Sequence, residues 1–510
     1  MRDLFSDVNP GSGRPPATAL VIFGATGDLT RRKLIPALYN LAHDGYLPPE
    51  FVVVGAARTQ QSDQEFRDKL FNDVKQFSRR EVRADLWESF AQRLHYQSLN
   101  GNDLKDFCLL KERLEALTAG GSGTYNYLYY LATSPNFFGP IAANLKAADL
   151  VFPMQPGHSR SSLIVEKPFG ENLTSARELN QVLRENFSEQ QIFRIDHYLG
   201  KETVQNILVF RFANGLFESI WNRKYIEQIQ ISVCESIGVG SRAGYFDSSG
   251  ITRDIVQNHL LQMLSLLCID PPISLKDADS IRDEKVKVLR SIQRVSPELV
   301  RDRSVRAQYT KGYISGDPVC GYLEEDGIAS SSSTESFVAM QFEIDNWRWA
   351  GVPIYVRAGK RLPKRVTEIT IFFHKPPAAL FRGHHIKELE PNVLAIQVQP
   401  NEGISLRINS KPPGPRMEVK PVEMDFSYGT SFGVSSADAY ERLLLDAMKG
   451  DATLFTRDDE IEEAWDLLAP FLDAWNGDNA PPVYRYEAGS WGPIESELLL
   501  AKNGHRWRQL

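Results

Sequence analysis

The sequence predicts two architectures in one chain: an α/β domain built on a parallel sheet, then an α+β domain with a large, mainly antiparallel sheet. Three observations carry this. Residues 19–23 form an apolar run of strand length that ends at once in Gly24-Ala25-Thr26-Gly27-Asp28-Leu29. From there to about residue 191, strand-like and helix-like segments alternate, the pattern of a parallel sheet with helices on both faces. Beyond it, apolar and alternating runs follow one another with few helices between them, the pattern of antiparallel pairing.

The elements follow in order. A glycine turn between a strand and a helix lets backbone N–H groups approach a pyrophosphate at the helix N-terminus. Here the spacing is G-x-x-G rather than G-x-G-x-x-G, so the turn gains its meaning from its neighbours. Residues 51–54 supply the second strand of a βαβ unit, closed by Gly55-Ala56-Ala57-Arg58. Folds that take NAD usually place an acid near this strand end, whereas an arginine suits a 2′-phosphate. The first domain is therefore predicted to be Rossmann-like and biased toward NADP, with the Gly24–Leu29 turn and Arg58 at the nucleotide. Pro36 predicts a short or kinked first helix, since an interior proline removes a helix hydrogen bond. Leu34, Leu38 and Leu41 then mark its buried face. Residues 64–77 and 137–147 have helical spacing, while residues 125–132 and 163–165 read as strands. The last of these leads into Glu166-Lys167-Pro168-Phe169-Gly170.

The second domain is expected to begin near Ile192. Residues 226–233, 337–344, 354–357, 368–373 and 392–398 are its strands, and the serine run 330–333 is a loop. The organisation predicted is a disordered lead-in at 1–16, a nucleotide domain at 17–191, and an α+β domain at 192–510. A chain of 510 residues exceeds one ordinary core and agrees with two domains. The net charge of −7 gives no indication of nucleic-acid binding. No apolar stretch is long enough to span a membrane, and residues 1–16 lack the apolar core of a signal peptide. Four scattered cysteines without C-x-x-C spacing argue against a zinc site or a disulfide framework. A reducing cytoplasm is the expected home.

Three segments of the second half are dense in chemistry. If a helix begins near Asp196, His197 and Lys201 lie four apart on one face, with Tyr198 beside them. Imidazole, phenol and ammonium suit a phosphate, although Asp196 as a helix cap on a wet face explains the same residues. Asp254 opens an apolar helix whose stripe is Val256, Leu260, Met263, Leu264 and Leu267. His259 at its edge is either a core histidine or a general base. As a base it needs a carboxylate to fix its tautomer, and Asp196 and Asp254 are both candidates. Residues 360–365 carry four cations after a strand, either a solvated cluster or a phosphate-binding loop. His384-His385 has no metal-type spacing and reads as surface loop.

Taken together, these segments closely resemble the glucose-6-phosphate dehydrogenase family, from Val21 to about Trp475. The resemblance rests on the glycine turn, Glu166 to Gly170, Arg194-Ile195-Asp196-His197-Tyr198-Leu199-Gly200-Lys201, and Gly244-Tyr245-Phe246-Asp247. It continues through Gln257-Asn258-His259-Leu260-Leu261-Gln262, Arg357-Ala358-Gly359-Lys360, Gln399-Pro400-Asn401-Glu402 and Ala439-Tyr440-Glu441-Arg442. It implies oxidation of glucose 6-phosphate with NADP+ to the 6-phosphogluconolactone, at the entry to the oxidative pentose phosphate pathway. It also implies His259 as base and Asp196 as its orienting carboxylate. His197, Tyr198, Lys201 and Arg365 correspond to phosphate ligands, Lys360 to a substrate-holding lysine, and Glu235 and Asp254 to partners of sugar hydroxyls. Lys167 corresponds to the lysine between sugar and cofactor, and the resemblance extends the nucleotide set from the glycine turn through Thr30 and Arg31. The family is usually dimeric or tetrameric, and the reaction calls for no metal. Val366 and Gln397 stand where animal members carry basic residues, with Arg407 keeping a cation, so a second, structural NADP site is not expected. An unphosphorylated-sugar oxidoreductase and a non-catalytic NADP sensor are the rivals. The phosphate cluster argues against the first, and His259, Asp196 and Lys167 against the second.

Overall fold

The computed structural model describes residues 14–121, 124–155, 157–384, 386, 388–432 and 437–510. The lead-in up to residue 13 and His385 lie outside them. The chain divides into two compact units.

The first unit is built on a seven-stranded sheet. Its strand order is Phe455–Thr456, Ile192–Ile195, Ser161–Val165, Asn126–Leu131, Thr18–Phe23, Phe51–Ala57, Leu94–Ser98. All pairings are parallel except that of the short Phe455–Thr456 strand. Thr18–Phe23 sits in mid-sheet and is buried along its whole length. This explains its unbroken apolar sequence, because a central parallel strand is covered on both faces. The chain direction reverses its order at this strand, between Asn126–Leu131 and Phe51–Ala57, which is where open α/β sheets bind ligands.

The helices follow local signals. After the glycine turn comes a π-helical turn, Thr30–Leu34, and then the helix Ile35–His43 with Pro36 in its first turn. The helical run is continuous from Asp28, so Pro36 lies inside it, where its missing N–H interrupts the hydrogen-bond ladder directly after the π-helical turn. Leu34, Leu38 and Leu41 are buried as expected. The helix Asp63–Phe77 opens with a capping box, in which Ser62 and Glu65 satisfy each other's backbone N–H groups.

The unit does not end where the strand pattern changes. Ile192–Ile195 pairs with Ser161–Val165 and belongs to the parallel sheet. The unit continues to Gly200 and takes back Ser274–Arg282 and Ala437–Ile461. The returning helix Ala439–Lys449 is fastened by Glu441, whose buried carboxylate accepts two bonds from Arg79, both at 2.7 Å, and one from Asn40 at 2.9 Å.

The second unit carries a nine-stranded sheet. Its order is Lys420–Ser427, Gly403–Ser410, Val393–Gln399, Val366–Phe373, Ile226–Cys234, Pro353–Gly359, Phe337–Glu343, Ser304–Thr310, Val483–Glu487. All pairings are antiparallel but two: Pro353–Gly359 with Ile226–Cys234, and Val483–Glu487 with Ser304–Thr310. The serine run 330–333 is a loop. Trp221 and Trp349 are fully buried, and their indole N–H groups donate to Leu267 and Cys268 carbonyls. Large aromatics in a core keep such partners.

The fastening of the returning helix has a measurable worth. Glu441→Ala removes the acceptor of the Asn40 amide and one of the two carboxylates on Arg79, which keeps Asp44 at 2.7 Å, and is expected to cost about 2–3 kcal/mol. That is below the ~3–5 typical of fully buried pairs because Arg79 keeps some exposure. Denaturant unfolding followed by circular dichroism checks this, and a loss under ~0.5 kcal/mol contradicts the role.

Candidate active site

In the first unit, the glycine turn is held by backbone bonds. Gly24 N–H donates to Ala56 C=O at 2.9 Å and Gly27 N–H to Gly24 C=O at 2.9 Å. Gly24 has φ +87°, and a Cβ there would lie 2.2 Å from the Ala132 carbonyl oxygen. No other residue fits. The turn lines a cleft of about 290 Å³ with Thr26, Ala57, Arg58, Thr59 and Thr133. Arg58 is exposed at its edge. A narrow cleft walled by backbone and ending in a cation fits a phosphorylated dinucleotide. Arg31 makes a bidentate pair with Asp73, at 2.9 and 2.8 Å. Asp28 is exposed.

The segment after Ile195 corrects the helical reading. Residues 197–200 form turns, and the helix begins only at Glu202, with Lys201 as its N-cap. The cause is local. Asp196 Oδ1 accepts the Tyr198 N–H at 2.9 Å, and the Asp196 carbonyl accepts that of Leu199 at 3.0 Å. This side-chain-to-backbone bond competes with helix formation. His197 and Lys201 therefore do not share a helix face. Within the first unit, buried Asp196 and Tyr198 flank a half-buried His197, whose ring stacks on Tyr440 at 6.5 Å.

Lys167 follows a strand end, and its bond to Pro168 is cis. The preceding Glu166 accepts the Tyr130 hydroxyl at 2.6 Å. Burial raises its carboxyl to about 6, against the opposing pull of the Tyr130 hydrogen bond, Lys167 and Tyr440. No local pattern signals this arrangement, although Glu166 and Tyr440 both lie in segments that carry the family resemblance.

In the second unit, strand register assembles a cluster. Ile226–Cys234 and Pro353–Gly359 run parallel with Cys234 opposite Gly359. Their C-terminal ends therefore deliver Glu235 and Lys360 side by side. Lys360 Nζ meets Glu235 Oε2 at 2.6 Å, and Glu235 N–H donates to Gly359 C=O at 2.9 Å. Lys360 is buried, so it is not part of a solvated charge run. Val366–Phe373 starts, and Val393–Gln399 ends, at the same sheet end. There Arg365 reaches the Gln399 side chain at 3.3 Å. In the sequence, Gln399 stands out only as the first residue of Gln399-Pro400-Asn401-Glu402. Lys201, a cation at a helix N-terminus, stands where the helix dipole is also positive. Two positive features together favour an anion.

The expected helix around His259 is present but differs in form. A helix from Ala243 is interrupted at Gly250, with φ +68°, and resumes as a π-helix, Thr252–Leu260, followed by Leu261–Cys268. Val256, Leu260, Met263, Leu264 and Leu267 are buried, yet so are Ile255, Leu261 and Leu266, so the helix is enclosed on all sides rather than along a stripe. It packs on Ile226–Cys234 and Pro353–Gly359, the strands that deliver Glu235 and Lys360. Asp254 and His259 are buried on it. A long π-helical stretch is rare and marks functional sites more often than chance. Elsewhere in this unit, Arg407 lines a cavity of about 950 Å³ with Arg357, Glu423, Trp491 and Trp507. The chain's own last residues form one of its walls.

Comparison with known proteins adds to this geometry. Residues 21–206 match the family model "Glucose-6-phosphate dehydrogenase, NAD binding domain", and residues 208–508 match "Glucose-6-phosphate dehydrogenase, C-terminal domain". A glucose-6-phosphate 1-dehydrogenase of Chlamydia pneumoniae is 46% identical over 498 residues, covering 97% of this chain and 96% of its own. That of Aggregatibacter actinomycetemcomitans is 46% identical over 492 residues, covering 96% and 97%. A solved glucose-6-phosphate dehydrogenase in complex with its substrate glucose-6-phosphate superposes with a TM-score of 0.88 at 36% identity, covering 98% of this chain and 100% of that one. A glucose-6-phosphate 1-dehydrogenase structure from Mycobacterium avium gives 0.83 at 36% identity, covering 97% and 99%.

The enclosed Glu166 makes a pH prediction. Its folded-state pKa of about 6 lies above the ordinary 4.5. Its protonated form therefore favours folding below pH 4.5, and that contribution is lost as pH rises to about 6. Glu166→Gln cannot ionise. The stability of the wild type relative to this variant should fall by up to ~2 kcal/mol across that window, at about 1.36 kcal/mol per pKa unit. Unfolding free energies of both proteins between pH 4 and 7 test it, and a constant difference contradicts it.

Proposed function

Because the chain belongs to the glucose-6-phosphate dehydrogenase family, we propose a division of labour among its residues for that family's reaction. The enzyme oxidises D-glucose 6-phosphate at C1 to 6-phospho-D-glucono-1,5-lactone, with hydride transfer to NADP+. This is the first step of the oxidative pentose phosphate pathway.

His259 removes the C1 hydroxyl proton, and Asp196 orients its imidazole and stabilises the imidazolium. Asp196 and His259 are each buried, as groups that exchange and stabilise a proton away from bulk water are. His197, Tyr198, Lys201 and Arg365 bind the phosphate. Lys360, Glu235 and Asp254 hold the sugar, whose hydroxyls suit carboxylate acceptors. Lys167 serves both sugar and cofactor. NADP+ lies along Gly24, Ala25, Thr26, Gly27, Asp28, Leu29, Thr30 and Arg31, with its 2′-phosphate on Arg58, and supplies the hydride acceptor. The observation that carries the reading is the delivery of Glu235 and Lys360 to one sheet end, on strands that also support the His259 helix.

Residues 17–191 serve the nucleotide, and residues 192–510 the sugar and assembly. A homodimer or homotetramer covers sheet edges such as Lys420–Ser427, where Val422 and Met424 are exposed. The enzyme works in the cytoplasm, where its four free cysteines stay reduced. No helix of the described residues is long and apolar enough to cross a membrane.

Turnover assays of NADPH formation test the reading. Glucose 6-phosphate should be oxidised rapidly and unphosphorylated glucose poorly, and equal rates would contradict the phosphate ligands. Arg58→Ala should raise the KM for NADP+ by about tenfold or more, the worth of one charge-assisted bond, with little effect on NAD+. Equal effects on both cofactors would remove Arg58 from the 2′-phosphate.

A further inference from the structure

Gly250 interrupts the helix that leads to His259, and a buried side chain fills the space against it. A Cβ on Gly250 would lie 2.5 Å from Glu335 Oε1 and 2.9 Å from Oε2. Glu335 is buried, and Oε1 accepts the Thr252 N–H at 3.1 Å. Its backbone carbonyl accepts the Ile251 N–H at 3.0 Å. Two bonds from one residue thus hold the start of the π-helix that carries Asp254 and His259. A carboxylate at a helix start also opposes the positive end of the helix dipole.

The next residue holds the other side of the cluster. The Ser336 carbonyl accepts the Lys360 N–H at 3.0 Å, and the Tyr486 hydroxyl donates to the Lys360 carbonyl at 2.6 Å. The loop before Glu335 is itself anchored. Ser332 and Tyr322 hydroxyls donate to Asp247 Oδ1 at 2.5 and 2.8 Å, and Thr334 Oγ1 donates to the Asp247 carbonyl at 2.6 Å. Gln308 binds the Ser332 and Thr334 carbonyls at 2.9 and 2.8 Å. Residues 335 and 336 therefore tie the His259 helix and the Lys360 strand end to a single fixed point.

We propose that Glu335 is a positioning residue for the reaction, holding the His259 helix in register with Lys360. The proposal rests on the reading of His259 as base. Glu335 touches neither substrate nor cofactor in this role. It acts through the Gly250–Thr252 turn, and a small misplacement of a base costs rate rather than cofactor affinity.

The test compares Glu335→Ala, Glu335→Gln and Gly250→Ala, each checked for folding by circular dichroism and thermal melting. Glu335→Ala should lower kcat by about 10- to 100-fold, with the KM for NADP+ within about twofold of wild type. Glu335→Gln keeps an acceptor for the Thr252 N–H and should recover most of kcat. Gly250→Ala presses a methyl group against the carboxylate, so it should show the same kcat-specific loss if Glu335→Ala fails to fold. His259→Asn/Glu335→Ala should be no slower than His259→Asn alone, because positioning an absent base gains nothing. A kcat within twofold of wild type in Glu335→Ala, equal damage to kcat and to the KM for NADP+, or multiplying losses in the double variant would overturn the proposal. Near-normal turnover by His259→Asn overturns the base reading and this proposal with it. An inactive His259→Asn beside a fully active Glu335→Ala overturns this proposal alone.

Discussion

Parallel pairing of Ile226–Cys234 with Pro353–Gly359, inside a sheet that is otherwise mostly antiparallel, sets the geometry of the second unit's polar cluster. Parallel neighbours end at the same edge, so the residues that follow them emerge together. Glu235 and Lys360 meet there as an ion pair of 2.6 Å with Lys360 almost out of water. An antiparallel pairing would send them to opposite ends of the sheet. A one-residue slip would break the Glu235–Gly359 backbone bond and turn each strand's core residues to its other face. The buried aliphatic pattern of both strands thus enforces the geometry of the polar residues beyond their ends.

The nucleotide side obeys a different constraint, the close approach of backbone to backbone. Gly24 faces the Ala132 carbonyl, and Gly55 faces Ala25 and the Phe66 ring, each without room for a Cβ. In the proposed reading, Arg58 at the rim adds selectivity for a 2′-phosphate to a site otherwise built from main chain.

Much of this was legible in the sequence where local physics decides. The strand–turn–helix, the break in the first helix just before Pro36 and the strand positions follow from periodicity, glycine spacing and proline chemistry. The misreadings have physical causes. Asp196 resembles a helix cap, and its side chain does bind a backbone N–H, but of Tyr198 in a turn that delays the helix to Glu202. The His259 helix looks amphipathic because Asp254, Gln257 and Asn258 are polar, yet all three are buried. Sequence shows polarity, whereas burial is decided by what packs around it. The return of Ala437–Ile461 to the first unit depends on contacts such as Arg79–Glu441, hundreds of residues apart, which leave no local pattern. Glu335 was invisible for the same reason. It follows an unremarkable serine run, and its meaning lies in the turn at Gly250.

The proposed division of labour separates binding from chemistry: Lys201 and Arg365 would hold the phosphate and Lys360 the sugar, while His259 would move the proton. Calorimetric titration of glucose 6-phosphate into His259→Asn, set beside its turnover, tests that separation most directly. The account predicts a Kd within about threefold of wild type, under 1 kcal/mol, together with a loss of kcat of about 10²–10⁴-fold, the range for a general base. Turnover close to wild type, or substrate binding lost along with it, would contradict the account.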